Sequence, residues 1–300
     1  MYLKNKLRLI FVFIFLSLCA IAQQDFQKNF KDLSEKNDTA AQSRLLKGWE
    51  AAKPKDPELY IAYFNFYVKK SREELISLDE KPKKESFQLS DSGNGKPVGY
   101  LNFSTCYRSD ILQKGFDYID KGIALHPDRL DMRFGKIYML GEAENYDMFT
   151  KVIIETIDHG NSIKDAWLWK EAKPLEDAKR FFLNSMQDYI STLYNTENDD
   201  LLPYMRQISE AILKYNPDHV ISLANVALTY IIKEDYDKGL SYLLKAEKID
   251  PKDIIVLNNI AEVYVRKKDN PNARIYYEKI IKSGNKEEVD DAREKLKKLN

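Results

Sequence analysis

VISLANVALTYIIKEDYDKGLSYLLKAEKIDPKD, residues 220–253, runs directly into IIVLNNIAEVYVRKKDNPNARIYYEKIIKSGNKE, residues 254–287. A shift of 34 residues lays one on the other. Leu223 falls on Leu257, Val226 on Ile260, Ala227 on Ala261 and Tyr230 on Tyr264; Gly239 then falls on Ala273, Leu243 on Tyr277, Ala246 on Ile280, and Pro217 on Pro251. The first four positions of each copy are spaced i, i+3, i+4, i+7, one face of a helix. Gly239, Leu243 and Ala246 make a second stripe on a second helix. Small residues at 227, 239 and 246 let the two helices approach, and Tyr230 and Leu243 fill the space between neighbouring pairs. Asn216-Pro217 and Asp250-Pro251 end one helix and start the next, because proline disfavours helix before it and fits the first turn after it.

In period, polarity and placement of small residues these two copies resemble the tetratricopeptide repeat family. The family pattern has Trp, Leu, Gly and Tyr on a first helix, then Ala, Phe and Ala on a second, then Pro. Here Leu223 and Leu257 replace the large aromatic, and Ile280 replaces a small Ala. The resemblance implies an all-α fold, a right-handed α-solenoid of helix hairpins that binds protein or peptide partners without catalysis. It extends upstream more loosely. Phe134-Gly135 and Tyr138 are followed by a helix through Phe149 and Ile153; Asp56-Pro57 precedes Tyr60, Tyr63, Phe64 and Tyr67 at helical spacing, with a second helix at 111–125; residues 174–216 make a longer pair, and 25–53 an opening pair. Residues 287–299 read as a polar capping helix. The count is about six units over 23–300, clearest in 217–285.

Two segments interrupt the repeats. In 71–110, Ser86–Leu89 and Val98–Phe103 alternate around DSGNGKP (91–97), which predicts a β-hairpin or loop inserted between two helices. Phe87, Tyr100 and Phe103 are its candidate binding residues. In 159–174, Asp158-His159-Gly160 reads as a helix end. Trp167 and Trp169 follow, two apart, so a helix cannot show both on one face; packing in the interruption is one reading, stacking on a sugar or peptide the other. The first helices of successive repeats line the groove in this family, and the candidate groove residues are Asn65, Arg129, Lys136, Asn258 and Glu262. A subgroup of the family clamps acidic peptide ends with Lys and Asn. Leu228 and Glu262 stand at the matching position here and argue against that clamp.

The chain has 300 residues, with 47 Lys plus Arg against 47 Asp plus Glu. This balance excludes a generally basic nucleic-acid binder. Lys4, Lys6 and Arg8 precede 14 uncharged residues, Leu9 to Ala22, ending in Ala20-Ile21-Ala22. That is shorter than the roughly 20 residues a membrane-spanning helix needs, and it reads as a signal peptide, 1–22, cut before Gln23. Cleavage takes three cations and no acid, leaving a net charge of −3. The expected location is periplasmic or secreted, with no stable membrane span after cleavage. Leu16-Ser17-Leu18-Cys19 offers a lipoprotein reading, for which Leu18 is large before the cysteine. Cys106 is then the one thiol left, so no internal disulfide can form.

No His pair has metal-ligand spacing, and CxxC, GxSxG, HExxH and P-loop patterns are all missing from the sequence. Neither a metal, a cofactor nor a catalytic residue is expected. The functional reading is a non-catalytic scaffold holding a protein or peptide of the cell envelope. Alternatives are a glycan-binding or glycan-uptake accessory protein and a hydrolase with a site near the insert.

Overall fold

The computed structural model describes residues 25–82 and 85–299; the signal-peptide reading, Cys19 included, lies outside them. The chain divides into two compact units, residues 1–127 and 128–300.

In the first unit, α1 (Phe26–Glu35) and α2 (Thr39–Ala52) pair ahead of α3 (Pro57–Ser71). Asp56 starts α3 by accepting from the Glu58 amide, and Pro57 fits the first turn. Its other carboxylate oxygen accepts from the Trp49 indole N–H at 2.9 Å. The cap of one helix therefore satisfies the buried polar atom of another. Phe26, Leu46, Trp49, Leu59, Ala62, Tyr63 and Phe66 form the core. The partner of α3 is α4 (Ser109–Leu125), where Tyr118 stacks on Tyr63 with centroids 3.9 Å apart.

Between α3 and α4 stand three strands, β1 (Arg72–Asp79), β2 (Glu85–Ser90) and β3 (Pro97–Tyr107), in the order β1-β3-β2. The alternation read in the sequence corresponds to β2 and β3. β1 carries no turn residues on its helical side, since it continues directly from α3. The Arg108 amide donates to the Ser71 carbonyl at 2.8 Å, closing the neck where the sheet leaves the helices.

In the second unit, α5 (Leu130–Glu142) and α6 (Tyr146–Ser162) form one pair, α7 (Ala178–Tyr194) and α8 (Leu202–Tyr215) the next, then α9 (Val220–Ile232) with α10 (Tyr236–Ile249), and α11 (Ile254–Arg266) with α12 (Asn270–Ser283). The helix α13 (Lys286–Lys298) closes the array, opened by a capping box between Asn285 and Glu288. The expected fold class holds: helix hairpins make six pairs among the described residues, and the sheets are minor.

The expected helix end at Asp158-His159-Gly160 holds in part: His159 lies in the last turn of α6, but the helix runs on to Ser162, so Gly160 is not its terminator. Gly160 is there for contact. A Cβ on it would lie 3.0 Å from Cζ2 of the buried Trp167. His159 Nε2 sits 2.9 Å from Asp128 Oδ1, tying α6 to the segment before α5.

Leu223, Ala227, Leu240, Leu243, Ala246, Leu257, Ile260, Ala261, Ala273, Tyr277 and Ile280 share one buried cluster across the two clear repeats. Gly239 sets the distance within the first of them. A Cβ there would lie 2.6 Å from Ile231 Cγ1 and 3.2 Å from the Ala227 carbonyl oxygen. In the second repeat Ala273 replaces Gly239, and the residue replacing Ile231 is the smaller Val265. The two exchanges compensate. Gly239→Ala gains about 1 kcal/mol of helix propensity but overpacks the contact at a cost of about 1–3 kcal/mol. The expected result is a lower melting temperature, with most of the loss recovered in Gly239→Ala/Ile231→Val, read by thermal circular dichroism.

Candidate functional site

On the first helices of the two clear repeats a row of side chains runs beside the packing stripe. On α9, Ile221, Ala224 and Leu228 follow i, i+3, i+7 and share a face; on α11 the same register gives Ile255, Asn258 and Glu262. Ile255 is 70% exposed and Ile221 about half. Ala224 and Leu228 are half-buried. The face is apolar along α9 and turns polar along α11.

The polar end is built around one cation. Lys295 of α13 donates to Asn258 Oδ1 at 2.9 Å and pairs with Glu262 Oε1 at 3.1 Å and Asp291 Oδ2 at 3.0 Å. The Tyr277 hydroxyl donates to the same Glu262 oxygen at 3.0 Å. Burial works against the charge on Lys295, but the hydrogen bonds to Asp291 and Glu262 outweigh it and hold the ammonium above the ordinary lysine range. Burial, with Glu262 nearby, pushes the Tyr277 hydroxyl upward, so it stays a donor. Two carboxylates share one lysine, and the cluster keeps a net negative charge.

The structure brings Asn258 and Glu262 together on this lysine, so both are engaged by the chain's own terminal helix. Arg129 and Lys136 are buried, which removes them from an open groove. The Arg129 guanidinium grips the Asp131 carboxylate through two hydrogen bonds of 2.7 and 2.8 Å, at the start of α5. Its segment is strapped further by the Leu168 amide, which donates to the Asp128 carbonyl. Asn65 lies exposed on α3, in the other compact unit. On the insert, Phe87 is well exposed, Phe103 less so, and Tyr100 is half-buried on the opposite sheet face.

Trp167 is buried against Phe182, with centroids 5.8 Å apart, and cannot stack on a ligand. Trp169, half-buried in the short ladder of β4 (Leu168–Trp169) with β5 (Lys173–Pro174), meets the edges of Phe134 and Phe181. The sequence reading passed over Ile221, Ile255 and Lys295. The first two carried a signal, since they occupy one position in the 34-residue period and are large and apolar outside the packing stripe. Lys295 carried none, because its role depends on where α13 docks.

Residues 221–253 match the family model of the tetratricopeptide repeat. That stretch is a tetratricopeptide repeat. No curated protein matches the sequence. Among solved structures, the C-terminal part of a tetratricopeptide repeat-containing protein from Cytophaga hutchinsonii is 14% identical, covering 91% of this chain and 87% of that one, with a TM-score of 0.46. YrrB, described as a tetratricopeptide protein with an unusual peptide-binding site, is 13% identical over 83% of this chain and 97% of its own, with a TM-score of 0.40. A tetratricopeptide repeat protein from Parabacteroides merdae is 13% identical over 91% and 85%, with a TM-score of 0.35. The tetratricopeptide fold is that of a protein–protein interaction scaffold. Among the described residues no helix is long and apolar enough to cross a membrane, and no three His, Cys, Asp or Glu residues gather as metal ligands.

Lys295→Met would leave Glu262 and Asp291 facing each other without their cation. These groups are partly exposed and screened, so the global cost is about 1 kcal/mol or less. The local effect is larger: amide exchange in 286–298 should rise several-fold while 220–250 stays unchanged, read by hydrogen-exchange mass spectrometry. Equal protection in both chains would show that the cap does not depend on this lysine.

Proposed function

We propose that this chain is a non-catalytic scaffold that holds a protein or peptide segment on the first-helix face of its C-terminal repeats, in the bacterial cell envelope or outside the cell. The observation that carries the reading is the pair Ile221 and Ile255. They recur at one position of the period and stay exposed although nothing in the core requires them. With Leu228 they offer an apolar track ending at the negative cluster of Glu262, Asp291 and Lys295. A segment with apolar side chains followed by a basic residue has the matching chemistry.

A photoreactive amino acid replacing Ile255 is expected to cross-link a discrete protein in intact cells. The same group replacing Ile275, exposed on the second helix α12, should not. Ile221→Asp/Ile255→Asp should reduce capture of that protein by tenfold or more. Equal cross-linking from both positions, or capture untouched by the double variant, would overturn the groove reading.

The location rests on the first 22 residues, whose basic start, short apolar run and small-x-small ending suit a cleaved signal. Intact-mass measurement of the exported chain should give a species beginning at Gln23. A lipid-modified chain beginning at Cys19, or one retaining Met1, would replace this reading with an anchored one.

A further inference from the structure

The turn between β2 and β3 holds Asn94-Gly95, the one Asn-Gly pair in the sequence. The side-chain carbonyl carbon of an asparagine lies within ring-closing reach of the next backbone nitrogen. A glycine at that next position has no Cβ to obstruct the approach, and asparagine is for such reasons a thermolabile residue. Both residues are exposed here, and a Cβ on Gly95 would meet nothing within 4 Å, so the space around this peptide is open. Asn94 Oδ1 accepts from the Lys96 amide at 2.9 Å, which folds the side chain back over the Gly95 peptide. Among the described residues its Nδ2 has no hydrogen-bond partner.

The same turn restrains the pair. The Gly95 amide donates to the Asp91 carbonyl at 2.9 Å, and the Asp91 amide donates to the Lys96 carbonyl at 2.8 Å. Asp91 Oδ1 accepts from the amides of Gly93 and Asn94 at 2.6 and 3.1 Å. Gly95 itself sits at a φ of +69°, where glycine is at ease. One carboxylate thus pins the two amides around the reacting residue, and the carbonyl of the same Asp91 holds the nitrogen that would attack. These bonds lie at the surface, where a turn opens locally without unfolding the protein.

We propose that Asn94 is a site of spontaneous deamidation through a cyclic imide, at a rate set by opening of the Asp91 turn. The Gly95 backbone nitrogen bonds to Asn94 Cγ, the Cγ–Nδ2 bond breaks, and the Gly95 amide proton leaves with that nitrogen as ammonia. Water then opens the imide at either carbonyl. Cleavage at Cγ restores the original main chain with aspartate at 94. Cleavage at the backbone carbonyl leaves the main chain running through Cγ, as isoaspartate. One water is consumed, one ammonia is released, and nothing is oxidised or reduced. Either product places a new negative charge beside Asp91, and the iso form adds a methylene to the main chain between the paired strands β2 and β3. The end of the sheet that carries Ser90 and Pro97 is therefore altered with time, while the helix pairs are untouched.

The test is to hold the purified, folded chain at neutral and at mildly alkaline pH and follow it by peptide-mapping mass spectrometry, with fragmentation that separates aspartyl from isoaspartyl. Asn161-Ser162 and Asn184-Ser185 are internal controls, since both asparagines lie within helices, α6 and α7. Asn94 is expected to convert several-fold faster than either, giving both aspartyl and isoaspartyl products, and faster at the higher pH. Asp91→Ala should speed conversion several-fold and raise hydrogen exchange at the Gly95 amide by a matching factor, with an unchanged far-ultraviolet circular dichroism spectrum. Asn94→Gln should abolish the change. A chain that keeps its Asn94 amide as long as those of Asn161 and Asn184 overturns the proposal. So does an aspartyl product alone, which would mean direct hydrolysis, or a conversion rate that Asp91→Ala leaves unchanged.

Discussion

The close approach of the two helices within a repeat is what the array depends on. In the repeat at 220–249 it is set by hydrogen atoms in place of a side chain at Gly239, against the Ala227 carbonyl and Ile231. Moving α10 outward by one methyl group would displace Leu240 and Leu243 from the cluster they share with Leu257 and Ile260 of the next repeat. Each repeat buries its neighbour's face, so a spacing error in one pair propagates to the next. The second repeat reaches a comparable spacing with Ala273 and Val265, evidence that the contact is conserved in volume even where the residues differ.

The helices were legible because their pattern is local. Proline breaks, stripes at i, i+3, i+4 and i+7, and the 34-residue shift lie in contiguous sequence, and the pairs from 25–53 through 254–283 could be placed from them. What was not legible depends on docking. Gly160 looks like a helix terminator in sequence, but its role is to admit the Trp167 ring from seven residues downstream. Arg129 looks like a groove residue because it is charged and begins a first helix, yet Asp131 and the strap through Leu168 hold it inside. β1 was hidden because REELISLD follows a helix without a break, and its strand character comes from pairing with a segment some thirty residues later.

The candidate groove shows the same division. Asn258 and Glu262 were readable as polar positions on a first helix, and they do converge. Their partner Lys295 arrives from α13, whose sequence announces only a polar terminal helix. The cap is therefore more than a solvating layer. Its lysine neutralises half of the acidic cluster at the end of the apolar track and so sets the charge that any segment lying on α11 would meet.

The strand order of the insert has a temporal side. The central strand β3 is the last of the three in the chain, and β1 and β2 are parallel, separated by the place it will take. Neither outer strand has a hydrogen-bonding partner until residues 97–107 exist, so during synthesis from the N-terminus the sheet cannot form in stages. Leu75, Ile76, Leu78, Phe87 and Leu89 all precede the strand that organises them. The neck bond between Ser71 and Arg108 forms after that strand is complete, when α4 begins. Sheet closure and the docking of α4 on α3 are thereby coupled, because both wait for residues 97–125.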